Sequence, residues 1–541
     1  MAIDIFSDYI ENMNRKEERQ NAASPGGGQA GAEAAAPGRP QPMDGDGSVA
    51  LLREISSKLD RLSLAAGCPA VQGMPEARAY QPSPAAGAVC SAADLAVENG
   101  LVVLPGSGVF RMNVYIKDGK ISHIGSGAGL LAKRTVDAAG KYVLPGIIDP
   151  HVHLGLFAPL ETDLQYETKS ALLGGVTTMG VFLGGPQSHL SSYPAVAEKV
   201  RQLSYTDVIP HLVIANEEQK QEIQDCVRRF GITSFKIYMN GIPGMIPSVD
   251  DGFILDVFSE LKRSGRKCIL CSHSENSHIV NRANGIVRAE KGAGASVSDW
   301  SDTHPAMAEE EAAVRISYLA EKSGMDVYLV HVGTKEAVAR LREIKAKNKY
   351  VHVETTSPYL SITKHDTDSN LIKMEPPFRE QEDVEALWRA VEDGVVDTIG
   401  TDNVSQTGAE KKVDGPMWDA VPGYPALATH LTAALHEGVI KRGIPIEKVI
   451  EKMTKNPAET FGVYPRKGTL LPGSDADLVI VDMDLEKQVR ASQLWSRSDI
   501  SLYEGKYMKG WPVATIKDGR LVVENSVYVG GPATGKCLER Q

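Results

Sequence analysis

Short stretches of alternating apolar and polar positions begin at about residue 93, after a long N-terminal segment without them. DLAVENGLVVL and NVYIKDGKISHIG read as strands, and Asp118-Gly119, set between alternating apolar residues, is the signal of a tight hairpin. A matching unit, ATIKDGRLVVEN, returns near the C-terminus with Asp518-Gly519 at its turn. The two ends of the chain are therefore expected to build one small β domain together. Between them the pattern changes. Runs rich in Val and Ile recur at 147–153, 176–183, 207–214, 232–239, 267–273, 326–332, 350–355 and 396–402. Stretches such as EEEAAVRISYLAEKSG and VEALWRAVEDG, with apolar residues three and four apart and Gly at their ends, fall between the runs. Eight apolar runs alternating with amphipathic helices predict an α/β fold, a (β/α)8 TIM barrel, with a small β-sandwich domain beside it.

Residues 20–48 and 65–90 are rich in Gly, Pro, Ala and Ser and offer few aromatic or branched apolar side chains to bury, which is the composition of flexible linkers. Two amphipathic stretches accompany them. Ile3, Phe6, Ile10 and Met13 share one helical face, and Leu52, Ile55, Leu59 and Leu62 share another. Helices of this kind on soft tethers suggest docking, on the protein's own surface, between subunits or on a separate partner. The expected organisation is a flexible extension with two amphipathic helices over 1–92, a catalytic barrel over 144–465, and a β-sandwich domain with a C-terminal tail assembled from 93–143 and 466–541.

Composition narrows the partners. The 541 residues carry 58 Lys and Arg against 69 Asp and Glu, a formal charge of −11 without a long basic run, so no nucleic acid and no anionic membrane is expected to be held through overall charge. No uninterrupted apolar stretch reaches the roughly 18 residues of a membrane span. MAIDIFSDYIENMNRKEERQ lacks the basic start, apolar middle and small-residue cleavage site of a secretory signal, so a cytoplasmic protein is expected. Six cysteines, at 68, 90, 226, 268, 271 and 537, are too sparse for a disulfide framework. Cys268 and Cys271 fall within one predicted strand, where residues three apart face opposite sides, so their spacing implies no redox role.

The apolar runs end in polar residues of particular kinds. In VLPGIIDPHVHLG the first barrel run ends in His151-Val152-His153, and strand alternation points both imidazoles the same way, where they can reach one metal. In ITSFKIYMN the polar Ser234, Lys236 and Tyr238 alternate with Phe235, Ile237 and Met239, which aims Lys236 into the barrel. A buried ammonium there needs a partner or must change its charge. His273 in KCILCSHSEN, His331 in DVYLVHVGT and Asp402 in VVDTIGTDN each stand at the end of an apolar run, the end at which barrels of this kind carry their active sites. One such histidine is commonly a packed core residue, whereas the whole set together points to chemistry. His189, His211, His352, His365, His430 and His436 are expected in loops or helices without a partner pattern, and His304, in a loop that could face the site, is given no role.

Taken in order, GIIDPHVHLG, SFKIYMN, SHSEN, LVHVGTKEAV, GTDN, NPAETFGVYPRKGTLLPGSDADLVIVD and SLYEGKYMKGWPVATIKDGRLVVEN resemble the dihydropyrimidinase/hydantoinase branch of the amidohydrolase superfamily, from about Asp94 to the C-terminus. The resemblance implies two divalent metal ions, usually Zn2+. His151, His153 and Asp402 would hold one, His273 and His331 the other, and Lys236 would bridge them as a carbamate formed with CO2. It also implies metal-dependent hydrolysis of a cyclic amide C–N bond, the ring opening of a dihydropyrimidine or hydantoin in pyrimidine degradation. The nucleophile would be a hydroxide between metals ~3.5–4 Å apart, with Asp402 as general base. Family members are commonly homotetramers, and the tail GPATGKCLER resembles one that wraps a neighbouring subunit. The N-terminal amphipathic stretches resemble the helices that dock enzymes to the shell of a bacterial microcompartment.

The pattern departs from that branch at the substrate end. Its members usually carry an oxyanion-stabilising tyrosine five residues after the lysine, where this chain has Gly241, and Tyr238 faces inward at another depth. A small residue, often serine, usually precedes the Pro-Pro of KMEPPFR and binds substrate through its backbone. Glu375 stands there, either turned away so that only its backbone matters or adding a charge that disfavours acidic rings. The second backbone contact falls near Pro422 in AVPGYP, and Asn403 replaces a common histidine. The missing tyrosine makes an allantoinase-like ureide hydrolase the rival activity. A non-catalytic scaffold, as among relatives that have lost metal ligands, is the rival of another kind.

Overall fold

A computed structural model describes residues 92–126, 130–242 and 245–540. The two N-terminal amphipathic stretches and their linkers lie outside the described residues, and so does their expected docking role. The described chain opens with β1 (Ala93–Leu104), β2 (Gly108–Lys117), β3 (Lys120–Gly125), β4 (Ala132–Asp137) and β5 (Tyr142–Pro145). Asp118 and Gly119 turn the β2–β3 hairpin at φ 51° and 75°, the positive angles that a two-residue turn demands and that Asp-Gly adopts at little cost.

The barrel strands are β6 (Ile147–His153), β7 (Val176–Leu183), β8 (Asp207–Val213), β9 (Ser234–Tyr238), β10 (Ile269–His273), β11 (Asp326–Leu329), β12 (Val351–Thr356), β13 (Thr398–Gly400) and β14 (Asn403–Val404). Their ladders are parallel. The eighth strand comes in two pieces. β13 pairs with β12, Thr398 opposite Glu354, while β14 pairs with β6, Asn403 opposite Val152, so the ring closes across Thr401-Asp402. Asp402 has φ 58°, outside the range a ladder residue can hold, and this splits the strand. The same cause shortens the sixth. The run expected over 326–332 pairs only as far as Leu329, because His331 turns the chain at φ 41°.

Between the strands run α1 (Leu160–Leu173), α2 (His189–Leu203), α3 (Glu217–Phe230), α4 (Asp251–Arg263), α5 (Ser277–Lys291), α6 (Ala306–Ser323), α7 (Lys335–Lys345) and α8 (Gln381–Glu392), and α9 (Ile446–Met453) follows the last. Side chains set their ends. The Asn216 side-chain Oδ1 accepts from the Gln219 N–H at the start of α3, and Gly231 closes that helix at φ 67°. Along α8 one face buries Val384, Leu387, Trp388 and Val391, each stabilising the packing by about 1.5–3 kcal/mol. The Trp388 indole N–H meets Leu360 O at 2.7 Å. Among the described residues no helix is long and apolar enough to cross a membrane.

β15 (Leu478–Gln488), β16 (Tyr507–Lys517), β17 (Arg520–Glu524) and β18 (Val527–Tyr528) then return to the first strands. β15 lies antiparallel to β5, Leu478 opposite Pro145, so the two ends meet in one sheet ordered β18-β17-β16-β15-β5-β1-β2-β3, with β4 beside β1. Leu95, Val102 and Ile116 from one end pack with Leu478, Ile480 and Ile516 from the other in a single apolar core, the filling of a small β-sandwich.

Charge is buried where the strands begin. Asp207, fully enclosed at the start of β8, lies 2.6 Å from Lys467 Nζ and 3.2 Å from Lys517 Nζ. Lys467 also meets Asp475 at 3.0 Å and Asp477 at 2.6 Å. The tail that resembles a subunit-wrapping segment lies along this end of its own barrel. Val208 N–H donates to Lys536 O at 2.9 Å, Leu538 N–H donates to Val208 O at 2.8 Å, and the buried Arg540 donates to Ser234 Oγ at 2.6 Å. The start of β8 leaves main-chain groups that need partners, and the tail supplies them.

Candidate metal centre

At the other end of the strands, alternation along β6 turns His151 and His153 to one side, and the break in the eighth strand turns Asp402 toward them. The Nε2 atoms of both histidines lie 3.1 Å from Asp402 Oδ1. His151 Nδ1 is 2.7 Å from Glu354 Oε1, and Glu354 is fully buried, accepting from the Tyr328 hydroxyl at 2.7 Å and from His331 N–H at 2.9 Å. This carboxylate holds the His151 ring in the orientation that leaves Nε2 facing Asp402.

A second group adjoins the first. The His331 ring lies 5.5 Å from that of His151 and 4.5 Å from that of His273, centroid to centroid. Lys236 is fully buried from the middle of β9, with its Nζ over the rings of Phe182 at 4.8 Å and Tyr238 at 4.9 Å. Burial pushes its ammonium down to about 8. Burial likewise depresses His153 and, more strongly, His331, which favours the neutral imidazoles that bind cations. For Asp402 burial alone would raise the carboxyl, but the imidazoles of His151 and His153 more than reverse this and keep it ionised. All six residues line one cavity of about 690 Å³.

The donor set fits divalent cations. His331 Nδ1 is buried with no hydrogen-bond partner. The ligand atoms of His151, His153 and Asp402 lie within 4.8 Å of one another. With Nδ1 of His151 committed to Glu354, its second nitrogen facing a carboxylate calls for a proton or a cation between them. Imidazoles and a carboxylate converging at this spacing suit zinc and its neighbours. A third group that could be read as a metal site, Asp207, Asp475 and Asp518, is instead served by the ammonium groups of Lys467 and Lys517.

The substrate end explains the departures in the sequence. Gly241 has φ 72°, and a Cβ there would stand 2.5 Å from Ser248 N, so no side chain fits in the turn closed by Ile242 N–H to Ile246 O at 2.7 Å. Tyr238 stacks on His273 with ring centroids 5.7 Å apart. Glu375 contributes to the cavity wall, and its Oε1 accepts from Asn240 Nδ2 at 3.3 Å. Pro422 is also in the wall. Its loop is held by the buried Lys411 ammonium, which donates to Val421 O at 3.0 Å and Gly423 O at 2.5 Å. Asn403 turns away from the cavity, its side-chain oxygen accepting from Ala426 N–H at 2.8 Å.

Other histidines fall differently from expectation. His211 lies on β8 and His352 on β12, since each interrupts an apolar run without ending the strand, and the His211 ring packs 4.6 Å from that of Phe182. His304 is buried with Nδ1 at 2.9 Å from Glu275 Oε1, while Glu275 Oε2 lies 2.9 Å from His273 Nε2. Sequence reasoning missed Glu354 and Glu275. Both carried a signal, since Glu354 follows Val351 and Val353 toward a strand end and Glu275 stands two residues beyond His273.

The amidohydrolase family pattern matches residues 142–522. A D-hydantoinase of Ralstonia pickettii is 32% identical over 462 residues, which cover 83% of this chain and 99% of that protein. An allantoinase of Rubrobacter xylanophilus is 32% identical over 457 residues, covering 82% of this chain and 97% of its own. The crystal fold of an L-hydantoinase (dihydropyrimidinase) from Arthrobacter aurescens superposes with a TM-score of 0.76 at 30% identity, covering 82% of this chain and 99% of that one.

Proposed function

Because the chain belongs to the amidohydrolase family, we propose that it hydrolyses the C–N bond of a cyclic amide, opening a dihydropyrimidine or hydantoin ring with the help of two divalent metals. The convergence of His151, His153, Lys236, His273, His331 and Asp402 on one cavity carries this reading. His151, His153 and Asp402 would hold one ion and His273 and His331 the other, with Lys236, as a carbamate, supplying a ligand to the pair. Lowered to about 8, Lys236 offers a neutral amine that could react with CO2, and a carbamate there would replace a buried cation by an anion. Zinc ions in these positions would polarise the ring carbonyl and lower the pKa of a water.

The residues do the rest. Asp402 takes the proton of the attacking water on its carboxylate and delivers it to the departing ring nitrogen. Glu354 and Glu275 orient His151 and His273. Leu154, Phe157, Leu183 and Met245 in the wall exclude bulk water. Backbone groups at Glu375 and Pro422 position the ring. The catalytic unit is the barrel of 144–465, with 93–143 and 466–541 as the β domain and C-terminal tail, in a cytoplasmic homotetramer of pyrimidine degradation whose N-terminal amphipathic segments dock a partner or a microcompartment shell.

A ureide hydrolase of the allantoinase kind is the second reading, favoured by the Gly241 turn that leaves no place for a tyrosine. The test is ring opening of dihydrouracil, hydantoin, allantoin and dihydroorotate by protein made with zinc and bicarbonate, with metal content measured alongside. Turnover of dihydrouracil or hydantoin, lost in Lys236→Ala, is expected. Turnover of allantoin alone would replace the first reading by the second, and a chain that binds no metal would return the scaffold reading.

A further inference from the structure

We propose that the substrate carries a guanidine- or amidine-type pair of N–H donors that Glu375 recognises, an inference that rests on the cyclic-amide reading. Glu375 and Asp402 are the acidic residues of the cavity wall, and Asp402 belongs to the metal centre. The cations near Glu375 have other partners as well, and His304 is shared: its ring and the carboxylates of Glu275 and Glu375 offer ligand atoms within 4.8 Å of one another. Lys373 Nζ donates to Met417 O at 2.8 Å and Ala420 O at 2.6 Å and lies over the Trp300 ring at 4.3 Å. Arg379 donates to the main-chain carbonyls of Ser301 and His304. His304 turns its Nδ1 to Glu275.

Two carboxylates, Glu275 and Glu375, thus share one imidazole, and Glu375 itself accepts from one neutral donor, Asn240 Nδ2 at 3.3 Å. Asn240 Oδ1 is itself a buried acceptor without a donor. A carboxylate with a single neutral donor and a buried amide oxygen with none therefore stand beside a wall that includes Ile242, Met245, Ile246 and Met374. A half-buried carboxylate in that state is costly, and a planar pair of N–H groups satisfies it with two parallel charge-assisted bonds. A carboxylate on the substrate would be repelled. The reaction is unchanged: the oxygen of water bonds to the ring carbonyl carbon, the C–N bond breaks, and the departing nitrogen takes the proton.

The N–H pair can sit on the ring, as an imino group replacing the 2-oxo group, or on a substituent. The experiment measures kcat/KM of the full-length, zinc-loaded protein for hydantoin, 2-iminohydantoin, and hydantoins bearing 3-guanidinopropyl, propyl or 2-carboxyethyl at C5. One N–H-rich compound is expected to exceed its matched neutral compound by roughly 10-fold or more, the strength of a hydrogen bond to a charged group. The carboxyethyl compound should fall below the propyl one, and Glu375→Gln, or Glu375→Ser if the first variant does not fold, should remove both differences. A gain in the imino arm places the donors on the ring, and a gain in the guanidino arm places them on the substituent. Ring opening without either preference, or a preference that survives the substitution, overturns this inference and leaves the cyclic-amide reading standing. No ring opening of any of the five, nor of dihydrouracil, takes down both.

Discussion

The two ends of the barrel bury charge in opposite ways. Where the strands begin, Asp207 meets Lys467 at 2.6 Å and Lys517 at 3.2 Å, and Asp475 and Asp477 complete the circuit around Lys467. Each charge there has its counter-charge within the polypeptide. Where the strands end, Lys236 has aromatic rings for neighbours, His331 Nδ1 has no hydrogen-bond partner, and two histidines crowd a single carboxylate. The first arrangement is complete as folded, whereas the second requires something the chain does not contain. Unfinished electrostatics mark the site, more than buried polarity as such.

Substitutions at the two ends should therefore fail in different ways. Asp402→Asn is expected to lower kcat by roughly 100- to 10,000-fold with the fold retained, checked by turnover and circular dichroism of the same sample. Lys467→Met should instead destabilise by about 3–5 kcal/mol, since it removes the ammonium that Asp207, Asp475 and Asp477 share. Its Tm drops while kcat per folded molecule holds. For Asp207, burial alone would raise the carboxyl, but the ammonium groups of Lys467 and Lys517 hold it far below the ordinary range. A depressed carboxylate contributes stability that is complete above its unfolded pKa, near 3.9, and is lost as pH falls through the folded value. The Tm gap between wild type and Lys467→Met should accordingly be widest above about pH 4 and narrow in acid, and a gap that grows in acid would contradict this pairing. Glu354→Gln sits between the two extremes. It leaves every ligand in place but loosens the orientation of His151, so metal affinity should fall by about 10- to 100-fold in a chelator competition.

The barrel was legible because strands buried on both faces must be apolar throughout, and the ligand candidates because each polar residue at the end of such a run breaks that rule. What stayed hidden depended on contacts across the fold. Glu354 lies at a strand end like the others, yet its partner His151 is 203 positions away and only the closed ring brings them together. Lys411, in the polar stretch GAEKKVDG, gives no sign of burial. Its ammonium is enclosed because three main-chain carbonyls, of Lys373, Val421 and Gly423, converge on it. The early ends of β11 and β13 were equally invisible, because nothing in His331 or Asp402 as residue types announces positive φ.

The gap at Asp402 in the eighth strand orders events in time as well as in space. His151 and His153 are among the first barrel residues to leave the ribosome and Asp402 is among the last, so a growing chain carries half of the candidate ligand group through most of its synthesis. Only when β14 docks beside β6 does the carboxylate reach the imidazoles. Pairing of such distant segments is the slow step in folds of this topology. The candidate cation site is thus complete only once the last strand has found the first.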